Sequence, residues 1–208
     1  MGLTVGAKRI GMFGGSFDPP HNVHLALAKI ACETLELDAL HVIPTGHAWH
    51  KARTLTAPEH RLAMARLAFA DVPEVAVDDR ELTRAGPTFT IDTLQALQAE
   101  NPGAQLYLIM GADQWAAFKQ WHQWQAIVEI AIICVAARAH INWATGQLDT
   151  LNELENSILT LDMPPMAVSA TQIRQLLAGG LGENRGMDDL LPSSVARYIA
   201  QHQLYQAP

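Results

Sequence analysis

A chain of 208 residues, 49% hydrophobic and 17% charged, carries enough apolar side chain to close one α/β domain and too much to remain disordered. Its formal net charge of -7 argues against a protein that lies along nucleic acid with a broad basic face, and no nucleic-acid partner is expected. An acidic protein that binds anionic nucleotides has to rely on local donors, at helix N-termini and a few placed cations.

The N-terminus, Met1 to Arg9, has no long apolar segment followed by a cleavage site, and no stretch reaches the roughly 18 apolar residues of a membrane span. A cytoplasmic protein without a membrane partner is expected. Arg9 to Phe13 reads as a short buried strand that runs into the turn Gly14-Gly15-Ser16. A long helix is expected from about His21 to Leu37, with Val23, Leu27, Ile30 and Ala31 at helical spacing. Leu40 to Pro44 reads as a second strand, and Pro58, suited to a first turn, opens a helix to Phe69. Val75 to Asp78 is a third strand, Thr90 to Glu100 a helix, Leu106 to Met110 a fourth strand and Ile130 to Ala136 a fifth. The stretch from His140 to Asp162 is irregular and reads as a surface helix or loop. Ala170 to Leu177 forms a helix behind Ser169 and is closed by Gly179-Gly180; a last helix follows Leu190-Leu191-Pro192, to about Gln201.

Strands alternating with helices imply parallel pairing through right-handed crossovers, hence an α/β Rossmann-like, doubly wound parallel sheet. One domain over 1–208 is expected, with 169–208 as a small helical C-terminal part. Cys32 and Cys134 sit in apolar runs and read as buried reduced thiols; no metal-type Cys spacing exists.

The most informative string is Gly14-Gly15-Ser16-Phe17-Asp18-Pro19-Pro20-His21-Asn22-Val23-His24, entered by a strand and left by a helix. The glycines allow a sharp turn and a close approach to a ligand, and the helix start offers free N–H groups to phosphate. His21 and His24 share a first-turn face, from which imidazoles could stabilise charge growing on phosphorus. A metal-binding pair is the alternative, but the string lacks the Glu and the i, i+4 spacing of the zinc-hydrolase helix, and no protein metal site is expected. No Gly-Lys-Ser/Thr follows the glycines, and the long dinucleotide fingerprint is absent too. Farther on, Ser169, Thr171 and Arg174 combine a helix start, a hydroxyl and a guanidinium: a second anion site, or a capped surface helix.

Together these strings resemble the nucleotidyltransferase superfamily with a His-x-Gly-His type motif and a C-terminal Ile-Ser-x-Thr-x-Ile-Arg element. The segments Thr88-Phe89-Thr90, Gly111-Ala112-Asp113, Trp121-His122 and Asp189 to Tyr205 are similar to those of its bacterial nicotinate-nucleotide adenylyltransferase family. The resemblance runs from about Ile10 to Tyr205. It implies a transferase that joins the adenylyl part of ATP to nicotinate mononucleotide, with Mg²⁺ bridging the phosphates, and small-molecule partners only; a homodimer is left open. It assigns His21, His24 and Arg174 to catalysis. ATP would lie on Gly14, Gly15, Ser16, Phe17, His21, His24, Ser169, Thr171 and Arg174, with Lys51 and Arg138 as further cations. The mononucleotide would lie on Thr88, Thr90, Gly111, Asp113, Trp121 and His122, with Trp121 stacking on the pyridine ring and Asp113 either holding a ribose hydroxyl or capping a helix. The chain departs from the pattern at Val23, where the family has glycine and room for the adenine. Two rival readings stay open: another acceptor, such as nicotinamide mononucleotide or phosphopantetheine, and a nucleotide-binding regulator without activity.

Overall fold

In a computed structural model of the protein, residues 6–46, 54–138, 158–179 and 187–206 are described. Six strands form one all-parallel sheet in the order β3-β2-β1-β4-β5-β6. They are β1 (Arg9–Gly15), β2 (Ala39–Pro44), β3 (Val75–Val77), β4 (Gln105–Gly111), β5 (Ala131–Arg138) and β6 (Ile158–Met163). The order reverses between β1 and β4, as in a doubly wound fold, so a crevice opens beyond their carboxyl ends.

The helices are α1 (Asn22–Leu35), α2 (Pro58–Phe69), α3 (Arg80–Thr83), α4 (Thr90–Glu100), α5 (Ala112–Ala116), α6 (Trp124–Ile130), α7 (Ala170–Ala178) and α8 (Ser193–Gln201). The helix α1 buries Leu27, Ala28, Ala31, Cys32 and Leu35, a stripe with the 3.6-residue period, and stops where Glu36 turns left-handed at φ 48°. Gly11 in β1 lets this end pack closely: a Cβ there would stand 2.7 Å from both Leu37 Cδ1 and Leu40 Cδ1.

The sheet separates two cores, and β4 feeds both by alternation. Tyr107 and Ile109 join Leu27, Met64, Phe69, Ile173 and Ile199 on one face; Leu106, Leu108 and Met110 join Ile91, Leu94, Trp115, Phe118 and Ile127 on the other. Each such aliphatic or aromatic side chain contributes about 1.5–3 kcal/mol on full burial. The helices α7 and α8 place Ile173, Val195 and Ile199 in the same core as α1. Both cysteines are buried thiols.

Two expectations need correction. Within the stretch read as a surface helix or loop, Ile158–Met163 is a strand that pairs with β5; residues 139–157 lie outside the described residues. The fifth strand starts at Ala131, because Ile130 still closes α6. Three tryptophans are set by three local elements: Trp115 is in α5, a 3-10 turn follows at Phe118–Gln120, Trp121 leaves it in extended conformation, and Trp124 opens α6. Gly180, paired with Gly179 as a helix stop, is outside the described residues, and α7 ends at Gly179 without it.

Candidate active site

A cleft of about 920 Å³ occupies the crevice at the reversal point. Its floor is formed by the ends of β1 and β4, and its two ends differ in chemistry.

At one end β1 delivers Gly14, Gly15 and Ser16 to the cleft wall. Gly15 sits in a crowded position, where a Cβ would stand 3.0 Å from the Phe17 ring. Phe17 itself takes the left-handed φ of 45°, a costly conformation for a bulky residue. Packing offsets that cost. The ring is 1% exposed and meets Phe13 and Phe69 edge-on at 5.5 and 5.9 Å. The Phe17 side chain is thus core and does not line the cleft.

His21 is the extended residue before α1, and its N–H donates to His24 Nδ1 at 3.2 Å. In a neutral imidazole this places the His24 proton on Nε2, which makes that nitrogen a donor. The two rings stack with centroids 3.7 Å apart, and His24 also meets the Phe17 ring edge-on at 5.1 Å. His21 is 6% exposed, and burial lowers its pKa to about 4. Its Nδ1 is buried with no hydrogen-bond partner among the described residues. Both imidazoles and Val23 line the cleft. A buried orphan nitrogen beside a helix start suits an anionic oxygen or its proton.

Ser169 caps α7 by accepting from the Gln172 N–H at 3.2 Å, and it also lines the cleft. Thr171 and Arg174 share a face of α7 but are not among the lining residues. The Arg174 guanidinium donates to the Asp18 carbonyl at 2.7 Å and to Thr171 Oγ1 at 3.0 Å, so it ties α7 to the loop between β1 and α1.

At the other end lie Thr88, Phe89, Thr90, Gly111, Asp113, Trp121 and His122. The rings of Phe89 and His122 are 4.3 Å apart, and Trp121 leans on Phe118 at 5.5 Å. Gly111 is the residue before α5, so Asp113 is not the helix cap. A Cβ on Gly111 would stand 2.7 Å from Asp113 Oδ1, so a side chain there would displace this carboxylate. Lys51, with His50 beside it, lies outside the described residues; Arg138 ends the backbone of β5, and its side chain is likewise outside them.

Buried charges that the sequence reading gave no role organise the loops at the β1 end of the cleft. Asp18 is fully buried and accepts from Tyr205 Oη at 2.7 Å and from the Thr56 N–H at 3.2 Å. Arg61, 1% exposed, donates to the carbonyls of Thr56, Ser16 and Thr45 at 2.9, 3.1 and 2.8 Å. The pattern held one clue: Arg61 occupies the apolar face of α2 with Met64, Ala65 and Ala68. Asn22 fastens α1 to the turn before α8, its N–H donating to the Leu190 carbonyl at 2.9 Å. Among the described residues, no three His, Cys, Asp or Glu side chains converge to hold a metal ion, and no helix is long and apolar enough to cross a membrane.

Comparison with known proteins gives a consistent picture. The cytidylyltransferase-like family model matches residues 12–176. A relative from Albidiferax ferrireducens named "Probable nicotinate-nucleotide adenylyltransferase" is 51% identical over 96% of this chain and 98% of its own. One of the same name from Bordetella petrii is 43% identical over 96% and 100%. Among solved structures, the nicotinic acid mononucleotide adenylyltransferase of Plasmodium falciparum in complex with NaAD has the same fold, with a TM-score of 0.75 at 20% identity over 95% of this chain and 97% of that one. By sequence match along nearly its whole length, the chain belongs to the cytidylyltransferase-like nucleotidyltransferases and, within them, to the nicotinate-nucleotide adenylyltransferase family.

Proposed function

We infer that the protein transfers the adenylyl group of ATP to nicotinate mononucleotide, giving nicotinate adenine dinucleotide and pyrophosphate in NAD biosynthesis. The observation that carries this is the two-ended cleft at the reversal point, with stacked His21 and His24 at one end and Trp121, His122 and Thr88 at the other. The close relatives of this name support the same substrates.

The acceptor phosphate oxygen attacks the α-phosphorus in line. This nucleophile is already ionised, so the site needs no strong base, and no covalent enzyme intermediate is implied. Catalysis is positioning plus stabilisation of charge. The Gly14-Gly15-Ser16 turn and the α1 start receive the triphosphate. His24 donates through Nε2, and His21, kept neutral by burial, presents its orphan nitrogen. Ser169 and the α7 start receive the outer phosphates, with Thr171 close by, and Arg174 joins them from its place on Asp18. Lys51 and Arg138 would add positive charge at the same end. Magnesium enters as part of the nucleotide substrate, held by phosphate and water. At the far end Trp121 stacks on the pyridine ring, backbone N–H groups at Thr90 and His122 receive the carboxylate, and Asp113 receives a ribose hydroxyl. We place the reaction in the cytoplasm; among the described residues, no helix is long and apolar enough to cross a membrane.

Pyrophosphate release, assayed with ATP and each mononucleotide in turn, tests the reading. Nicotinate mononucleotide should exceed nicotinamide mononucleotide in kcat/KM by about tenfold or more, because an amide turns an NH₂ against a dry donor at a cost of about 1–3 kcal/mol. Equal values for the two, or turnover with phosphopantetheine alone, would refute it.

A further inference from the structure

A buried carboxylate that the proposed chemistry does not use lines the same cleft. Glu81, in the short helix α3, is 5% exposed. Its Oε1 accepts from the fully buried Thr93 Oγ1 at 2.9 Å. Thr93 stands on the first turn of α4 and also accepts from Arg84 at 3.3 Å. Burial raises the Glu81 pKa, and the Thr93 hydroxyl and the charge of Arg84 act against that rise. The backbone of Gly46 presses on α3 so closely that a Cβ there would overlap the Glu81 carbonyl. The Thr88 hydroxyl is buried without a partner at hydrogen-bonding geometry among the described residues.

A carboxylate removed from water is costly unless several donors converge on it. Thr93 supplies one such donor from the first turn of α4, at the acceptor end, while Gly46, in the loop behind β2, packs its backbone directly against the Glu81 carbonyl. We propose that Glu81 is a positioning residue for the acceptor: its carboxylate holds Thr93 while its backbone meets Gly46, so that α3 fixes the start of α4 against the loop after β2. The mononucleotide then lies at the correct reach from the phosphate end. This rests on the assignment of the 88–90 segment to the acceptor. A glutamine retains the shape but weakens the acceptor of the Thr93 hydroxyl and places an NH₂ in the buried site.

The test is steady-state kinetics of Glu81→Gln, Thr93→Val and the double variant, with the mononucleotide that the wild-type enzyme turns over best. Glu81→Gln should raise KM for the mononucleotide by roughly tenfold or more while KM for ATP stays within about threefold. Thr93→Val should act in the same direction, and the double variant should be no worse than Glu81→Gln, since both act through one contact. Thr93→Ser, which keeps the hydroxyl, should behave as wild type. A mononucleotide KM within about threefold of wild type, or an equal rise in both KM values, would overturn the proposal. If Glu81→Gln does not fold by circular dichroism, Thr93→Val decides alone, and an unchanged mononucleotide KM overturns it. A wild-type preference for a different acceptor would count against the proposed substrate and leave this comparison intact, because that acceptor is then the one measured.

Discussion

The His21 N–H points at Nδ1 of His24, 3.2 Å away, and the two rings lie stacked at 3.7 Å. One backbone bond therefore does two things: it satisfies an N–H at a helix start, and it assigns the His24 proton to Nε2. His24→Ala removes that donor while leaving the core of α1, at Leu27, Ala31 and Leu35, untouched. Turnover should fall on the order of 10²-fold or more with little change in melting temperature. A kcat within about threefold of wild type would contradict the role of the donor.

The depressed pKa of His21 makes stability depend on pH. The folded state keeps this imidazole neutral down to about pH 4, whereas in the unfolded chain it protonates near its ordinary 6.5. Between those values the unfolded state binds the extra proton, so the contribution is fully present above pH 6.5 and is lost as pH falls toward 4. The loss amounts to about 3 kcal/mol at most. Urea unfolding at pH 7 and pH 4.5 should show a smaller pH difference for His21→Asn than for wild type. Parallel pH profiles for the two proteins would contradict the buried neutral state.

Arg174 spends its guanidinium on the Asp18 carbonyl and Thr171, and so holds α7 to the loop that precedes α1. Arg174→Ala should weaken ATP binding more than mononucleotide binding, because both the outer phosphates and the loop beneath them lose support. Calorimetry gives both affinities; equal losses would remove Arg174 from the phosphate end.

Val23 stands between the histidines, lines the cleft, and rests partly on the core beneath α1. Val23→Gly gives up that packing and adds backbone freedom worth roughly 0.5–1 kcal/mol, so melting should drop by about 2–4 °C. It also opens the wall on which the family resemblance would pack the adenine. KM for ATP should change, in the downward direction, with the mononucleotide KM unaltered. A mutant changed chiefly in mononucleotide KM would show that Val23 faces the other substrate.

The sequence by itself determined what local chemistry controls. The helices from Pro58 to Phe69 and from Thr90 to Glu100 begin and end where the sequence reading places them. The strand-turn-helix string around Gly14 and His24 and the capped helix after Ser169 announce themselves as well, because turns, caps and apolar periods are written in neighbouring residues. The tertiary structure alone decided the rest. Ile158–Met163, broken by the polar Thr160 and Asp162, lies in a stretch without a clear period; it became a strand because β5 offers it a free edge. The 3-10 turn at Phe118–Gln120 lets Trp115 enter the core while Trp121 reaches the cleft. Most of all, burial of Asp18, Arg61 and Glu81 depends on partners from distant segments. Tyr205 reaches Asp18 across 187 positions, and the three carbonyls that Arg61 bonds come from two loops, Ser16 after β1 and Thr45 and Thr56 between β2 and α2. A charge can be buried only where donors or acceptors converge on it, and that convergence exists only once the chain has folded.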